Sequence, residues 1–142
     1  MNTININLEP FTPDLKNQLY EGFRRNALAR IGAHEIRDAI AFVARGDDGI
    51  LVGTIVVEIF WGSLHIVYLF VEEANRGQGI GTRLLQQALE YGRGQHAAFA
   101  FLETMSYLNV SGFYEQMGFY LEFTRSGYTH NNSFHYMRKN LV

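Results

Sequence analysis

The chain of 142 residues contains no cysteine. Disulfides, thiolate metal sites and a cysteine nucleophile are excluded together. No apolar run approaches the length that spans a bilayer, so no membrane association is expected. The opening Met1-Asn2-Thr3-Ile4-Asn5-Ile6-Asn7 lacks the basic and apolar regions of a secretion signal. With the missing cysteines, this predicts a cytoplasmic protein. Neither sign of charge dominates: the formal net charge is −2, and the densest basic sets are Arg24-Arg25 and Arg138-Lys139. That leaves no footprint for nucleic acid. His130 and His135 are joined by no carboxylate set or further histidine pattern, so no metal site is expected. Repeats, low-complexity tracts and linkers are absent, and the length suits a single domain over residues 1–142.

Hydrophobic residues make up 47% of the chain, with Phe and Tyr plentiful, which supports a core and argues against disorder. Ile4, Ile6 and Leu8 alternate with polar residues, the pattern of a strand. Thr12-Pro13-Asp14 supplies an N-cap, a first-turn proline and a first-turn acid. Leu15, Leu19, Phe23, Ala27 and Ile31 follow at helical spacing up to a stop at Gly32. The stretch from Ala33 to Asp38 is ambiguous, a short second helix being one reading. Residues 39–45 and 50–60 read as a hairpin about the turn Gly46-Asp47-Asp48-Gly49, with Gly53 marking a bulge. A strand over 64–71, a helix with the stripe Ile80, Leu84, Leu85, Ala88 and Leu89, and a strand over 97–102 come next. A short helix over 110–117 and strands over 119–124 and 134–138 close the chain. The meander rules out a purely parallel sheet. The expected fold is α/β (α+β): a mixed central sheet of about seven strands with helices on both faces.

The most informative stretch is Leu69-Phe70-Val71-Glu72-Glu73-Ala74-Asn75-Arg76-Gly77-Gln78-Gly79-Ile80-Gly81. A strand enters a helix through three alternating glycines. The first N–H groups of a helix have no internal partner, and the helix dipole adds positive charge there. Glycine lets the backbone approach a phosphate without a Cβ in the way. Arg76 and Arg83 add charge at the rim. The chemistry is a cradle for a phosphate or pyrophosphate. A Walker loop requires Lys-Ser/Thr after its last glycine, and here Thr82-Arg83 follows. A dinucleotide fingerprint requires a wider last gap and the first strand–helix unit of its domain, although Glu103 stands near the place of its acidic residue.

Arg76-Gly77-Gln78-Gly79-Ile80-Gly81 resembles the Q/R-x-x-G-x-G/A loop of the GNAT superfamily of acyl-CoA-dependent N-acetyltransferases. Phe113-Tyr114-Glu115-Gln116-Met117-Gly118-Phe119 resembles that family's FYEKxGF segment, and Leu69-Phe70-Val71 its fourth strand. The order of elements agrees over nearly the whole chain. The resemblance implies transfer of an acetyl group from acetyl-CoA directly to a primary amine of a small molecule or peptide, without an acyl-enzyme. It implies that Arg76, Gly77, Gln78, Gly79, Ile80, Gly81 and Thr82 hold the pyrophosphate. Leu69, Phe70 and Val71 would pair with the pantetheine arm, and a backbone N–H, at Leu69 or else Phe70, would polarise the thioester carbonyl. Tyr114 matches the family tyrosine that serves the leaving thiolate as general acid. Asn109 and Tyr114 are expected to contact coenzyme A, although many members carry their asparagine where this chain has Tyr107, so that asparagine's role does not pass to Asn109 by spacing.

The attacking amine requires a base or a water chain. His65, Glu58, Tyr68 and Glu103 are the candidates. On a regular strand His65 and Leu69 share a face, roughly 13 Å apart, which calls for a water relay. Glu58 is the rival, as base or as a binder of the acceptor's charge. Glu58, Trp61, Glu72 and Glu103 hint at a cationic acceptor. The competing class is a non-catalytic CoA- or nucleotide-binding regulatory module. A homodimer is left open.

Overall fold

The computed structural model describes residues 3–142 and divides into two compact units at His34/Glu35. In the first, residues 3–12 form no strand, and Ile4, Ile6 and Leu8 are exposed. The alternation expected to make a strand there states which side would be apolar, but it supplies no neighbour to pair with. Helix α1 (Pro13–Ile31) begins and ends where its sequence signals stand. Leu15 N–H donates to Thr12 Oγ1 at 3.2 Å, and Gly32, at φ 70°, closes the helix by donating to the Leu28 carbonyl.

The second unit is a six-stranded mixed sheet, not one of about seven. Its strands are β1 (Ile40–Arg45), β2 (Leu51–Phe60), β3 (Ser63–Val71), β4 (Phe99–Met105), β5 (Tyr120–Tyr128) and β6 (Asn132–Asn140), in the order β1-β2-β3-β4-β6-β5. All neighbours are antiparallel except β3 and β4. Residues 35–37 form no helix; Ile36 bridges Phe60, and Arg37 N–H donates to the Ile59 carbonyl. Trp61 and Gly62, both at positive φ, make the tight turn between β2 and β3. The register slips between Ala44 and Arg45, opposite Gly53, as the glycine suggested. A Cβ on Gly53 would stand 3.0 Å from the Phe70 carbonyl and 3.3 Å from Ile80 and Leu84.

Helix α2 (Ile80–Gly94) covers one face of β1, β2 and β3. Its stripe of Leu84, Leu85, Ala88 and Leu89 meets Ile55, Val57 and Ile59 of β2 and Leu64 and Ile66 of β3 in the core. Each fully buried leucine contributes about 2 kcal/mol relative to exposure. Gly92 lies within α2 where Leu64 fills the place of a side chain: an added Cβ would stand 2.9 Å from Leu64 Cδ2. Helix α3 (Ser111–Gln116) brings Tyr114 into the same core, with Phe119 just beyond it. No helix among the described residues is long and apolar enough to cross a membrane.

Two irregularities in β3 shape the site. Val56 pairs with Tyr68 but Val57 pairs with Ile66, so Val67 is an extra, bulged residue. A bulge shifts the inside–outside alternation by one position. Leu64 and Ile66 face the core before it, and Leu69 and Val71 pack on the core after it. His65, Tyr68 and Phe70 lie opposite Glu58, Val56 and Thr54 on the other face. The expectation that His65 and Leu69 share a face is therefore overturned. The second irregularity is that β3 and β4 pair only at Leu64/Ala100 and His65/Phe101. Beyond that point they part.

Candidate functional site

Where β3 and β4 separate, a cleft of about 1060 Å³ opens. One wall is the β3 segment 66–71, whose backbone has no β4 residues to pair with. The opposite wall is β4 from Leu102 to Met105 with Phe134 and Tyr136 of β6. The glycine loop and Tyr114 complete it. The cleft touches both faces of the sheet, since Leu69 and Tyr114 belong to the core side and Glu103 to the other.

After β3 the chain makes a 3₁₀ turn, Glu73–Asn75, and enters α2 through Gly77 and Gly79. These have φ 78° and 80°, a region that L side chains rarely adopt. A Cβ at either position would meet nothing within 4 Å, so the loop's surface is open. No side chain caps α2. The N–H groups of Ile80, Gly81 and Thr82 precede the first intrahelical bond, from Arg83 N–H to the Gly79 carbonyl, and with the helix dipole they make an anion site. Gly77, Gly79, Ile80, Gly81 and Thr82 line the cleft, as do Leu69, Phe70 and Val71.

Other expected residues sit differently. Arg76 lines the cleft, but its Nε donates to the Val71 carbonyl at 2.9 Å, so the side chain ties the end of β3 to the loop. Arg83 and Gln78 are exposed and not on the cleft wall. Asn109 is also outside it; at φ 51° it closes the 3₁₀ turn Ser106–Leu108 by donating its N–H to the Ser106 carbonyl. Glu58 and His65 do not line the cleft either, whereas Glu103 and Tyr68 do. Thr104, Leu108, Phe134 and Tyr136 line it without having been singled out in the sequence. Thr104 continues the buried alternation Ala100, Leu102, Thr104 in β4, a signal that was available.

Tyr114 is 7% exposed and packs edge-on against Phe113 and Phe119, at ring separations of 5.1 and 5.6 Å. Its hydroxyl makes no hydrogen bond among the described residues. No buried side-chain polar atom there lacks a partner, so the hydroxyl is open to the cleft. Burial pushes the phenol up to about 12, which keeps it protonated at every physiological pH.

His65 lies between two carboxylates. Its Nδ1 is 3.1 Å from Glu58 Oε1, its Nε2 is 2.8 Å from Glu103 Oε2, and its ring stacks on Phe101 at 4.5 Å. Burial works against the charged ring, but the hydrogen bonds to Glu103 and Glu58 and their charges outweigh it. The pKa is raised above the usual 6.5. Both ring nitrogens face a carboxylate, so in the charged form the ring donates both N–H groups and has no lone pair left over. His135 is engaged elsewhere, 3.0 Å from Thr124 Oγ1, and no group of three or more metal-ligating side chains occurs among the described residues.

This geometry is that of an α/β domain with an anion cradle at a helix start beside an open strand edge. The chain belongs to the acetyltransferase (GNAT) family, whose family model matches residues 4–119. It is 38% identical to an acetyltransferase of Agrobacterium fabrum over 65% of this chain and 66% of that one. It is 30% identical to the blasticidin-S acetyltransferase of Streptomyces morookaense over 81% of this chain and 86% of the relative. A solved structure from Agrobacterium tumefaciens, assigned as an acetyltransferase, superimposes with a TM-score of 0.79 at 27% identity, covering 99% of both chains.

Proposed function

We propose that this protein is an N-acetyltransferase that moves the acetyl group of acetyl-CoA directly to a primary amine of a small molecule or peptide. The observation that carries the reading is one cleft in which the glycine cradle, the unpaired edge of β3 and the Tyr114 hydroxyl meet. The N–H groups of Ile80, Gly81 and Thr82 hold the pyrophosphate. The free edge of Leu69 to Val71 pairs with the pantetheine arm as a further strand would, and a backbone N–H, at Leu69 or else Phe70, stabilises the charge that develops on the thioester oxygen. The amine nitrogen bonds to the carbonyl carbon, the C–S bond breaks, and Tyr114 gives its proton to the departing thiolate. The proton that the amine nitrogen loses on acylation passes through water to Tyr114 and restores it.

The similarity to blasticidin-S acetyltransferase supports a small-molecule acceptor. The test is CoA release from acetyl-CoA with a panel of primary amines that includes blasticidin S, beside calorimetric binding of acetyl-CoA. Binding with amine-dependent release is the expected result. Binding without transfer to any amine would favour the second reading, a CoA-binding regulatory module. No binding would remove both.

A further inference from the structure

Glu103 is the sole carboxylate on the cleft wall among the described residues. Its Oε2 is taken by His65, and no protein donor among those residues takes Oε1. His65 in turn is fixed three ways, by Glu103, by Glu58 and by the face of Phe101. An imidazole held at both nitrogens and on one face does not turn, so it fixes the carboxylate it holds. The three groups come from three adjacent strands, β2, β3 and β4, just where β3 and β4 begin to part.

We propose, on the acetyltransferase reading above, that Glu103 receives the cationic amine of the acceptor. Glu58 and His65 are positioning residues that aim its carboxylate into the cleft, and the His65 proton is the countercharge that the amine replaces. Two carboxylates and one imidazolium leave one negative charge in the cluster. A primary ammonium placed on Glu103 Oε1 neutralises it and brings positive charge close to His65. His65 then gives one N–H proton to water, so one cation is taken up and one proton leaves, and the bound ammonium passes a proton of its own to water before its nitrogen attacks. The charged and titratable groups around His65 are Glu58 from β2, Glu103 from β4, and Tyr136 and Arg138, which stand across from Glu103 and Phe101 on β6. Arg138 is turned away, to the Phe99 ring at 3.9 Å, to Asn140 at 2.9 Å and to Glu122 at 3.9 Å, so it offers no competing countercharge. This reverses the sequence expectation in which His65 itself takes the amine proton.

The test compares Glu103→Gln, His65→Gln and Glu58→Gln with the wild type, using the fastest acceptor from the amine panel. All three keep wild-type acetyl-CoA affinity. A charge-assisted hydrogen bond converts to roughly ten- to hundredfold, so Glu103→Gln raises the acceptor KM by about that factor. His65→Gln and Glu58→Gln raise it less. Calorimetry of acceptor binding in two buffers of different ionisation enthalpy shows proton release in the wild type and none in His65→Gln. An arm that needs no acceptor follows the five histidines by NMR: the His65 midpoint falls in both Glu103→Gln and Glu58→Gln. A wild-type acceptor KM in Glu103→Gln overturns the proposal. So does a His65 midpoint that Glu103→Gln leaves unmoved. Raised KM in Glu103→Gln alone, with His65→Gln unchanged, overturns the positioning role. A wild type that acetylates no amine sinks the acetyltransferase reading instead, and the NMR arm still decides whether the clamp exists in solution.

Discussion

Gly81 faces Phe113. A Cβ built on Gly81 would stand 3.7 Å from Phe113 Cζ and 3.8 Å from Val71 Cγ2. The two sequence motifs that carry the family resemblance therefore pack on each other, and the end of β3 packs on both. The three loop glycines also have different tasks. Gly77 and Gly79 are set by backbone conformation, whereas Gly81, within the helix, borders a ring at ordinary contact distance.

Alanine substitutions should separate these tasks. Gly77→Ala and Gly79→Ala force a side chain into the left-handed region, at about 1–2 kcal/mol each. Gly81→Ala fits its space and gains helix propensity, so its stability should be unchanged or higher by up to about 1 kcal/mol. Urea unfolding of the three variants checks the order. Equal losses at all three would contradict it.

Gly79→Glu should abolish acetyl-CoA binding. The side chain points into open space, so the protein folds, but a carboxylate then stands where the helix N–H groups would meet phosphate. Calorimetry on the folded variant is the check, and unchanged affinity would remove the cradle.

Tyr114→Phe keeps the ring and its contacts with Phe113 and Phe119. Loss of the proton donor should lower kcat by about 10²–10⁴-fold with acetyl-CoA affinity retained. Because burial puts the phenol at about 12, the wild-type kcat profile should show no basic limb from Tyr114 up to pH 10. Stability should fall above pH 10, where the unfolded chain ionises this group first. A basic limb centred near pH 10 that vanishes in Tyr114→Phe would show an ordinary, exposed phenol.

The Glu58–His65–Glu103 cluster also predicts a pH dependence of stability. The folded pKa of His65 is raised, so the folded state holds the proton more tightly than the unfolded chain. The contribution is fully present below pH 6.5 and is lost as pH rises through the folded value. Urea midpoints measured from pH 5.5 to 8.5 should fall in the wild type and flatten in His65→Gln. Identical slopes in the two proteins would mean that the clamp does not hold a charged ring.

Local signals survived from sequence to structure wherever the physics is local. Thr12 caps α1, Gly32 ends it, and Gly77 and Gly79 take the conformations that only glycine adopts readily. Non-local features were not legible. The alternation at Ile4, Ile6 and Leu8 lacks a partner strand, and no pattern within it reveals that. The bulge at Val67 is hidden because Leu64-His65-Ile66-Val67-Tyr68-Leu69 is largely apolar on both faces, so a slip of parity leaves no trace. His65 and Glu103 are 38 residues apart and meet only because β4 lies beside β3. Their pairing sets His65 between two carboxylates, a surrounding that its neighbours in sequence do not reveal.

The parting of β3 and β4 has a mechanical consequence. The sheet is two plates, β1-β2-β3 and β4-β6-β5, whose backbones are zipped together over just two residue pairs at one end. A chain-like ligand laid along the free edge of β3 extends that zipper and bolts the plates together. Heat resistance then becomes a readout of occupancy: at a hundredfold excess over Kd, binding adds about 2.7 kcal/mol to the folded state. The amides along the open edge, unprotected by any strand, should be the first to gain protection from hydrogen exchange when the gap is bridged.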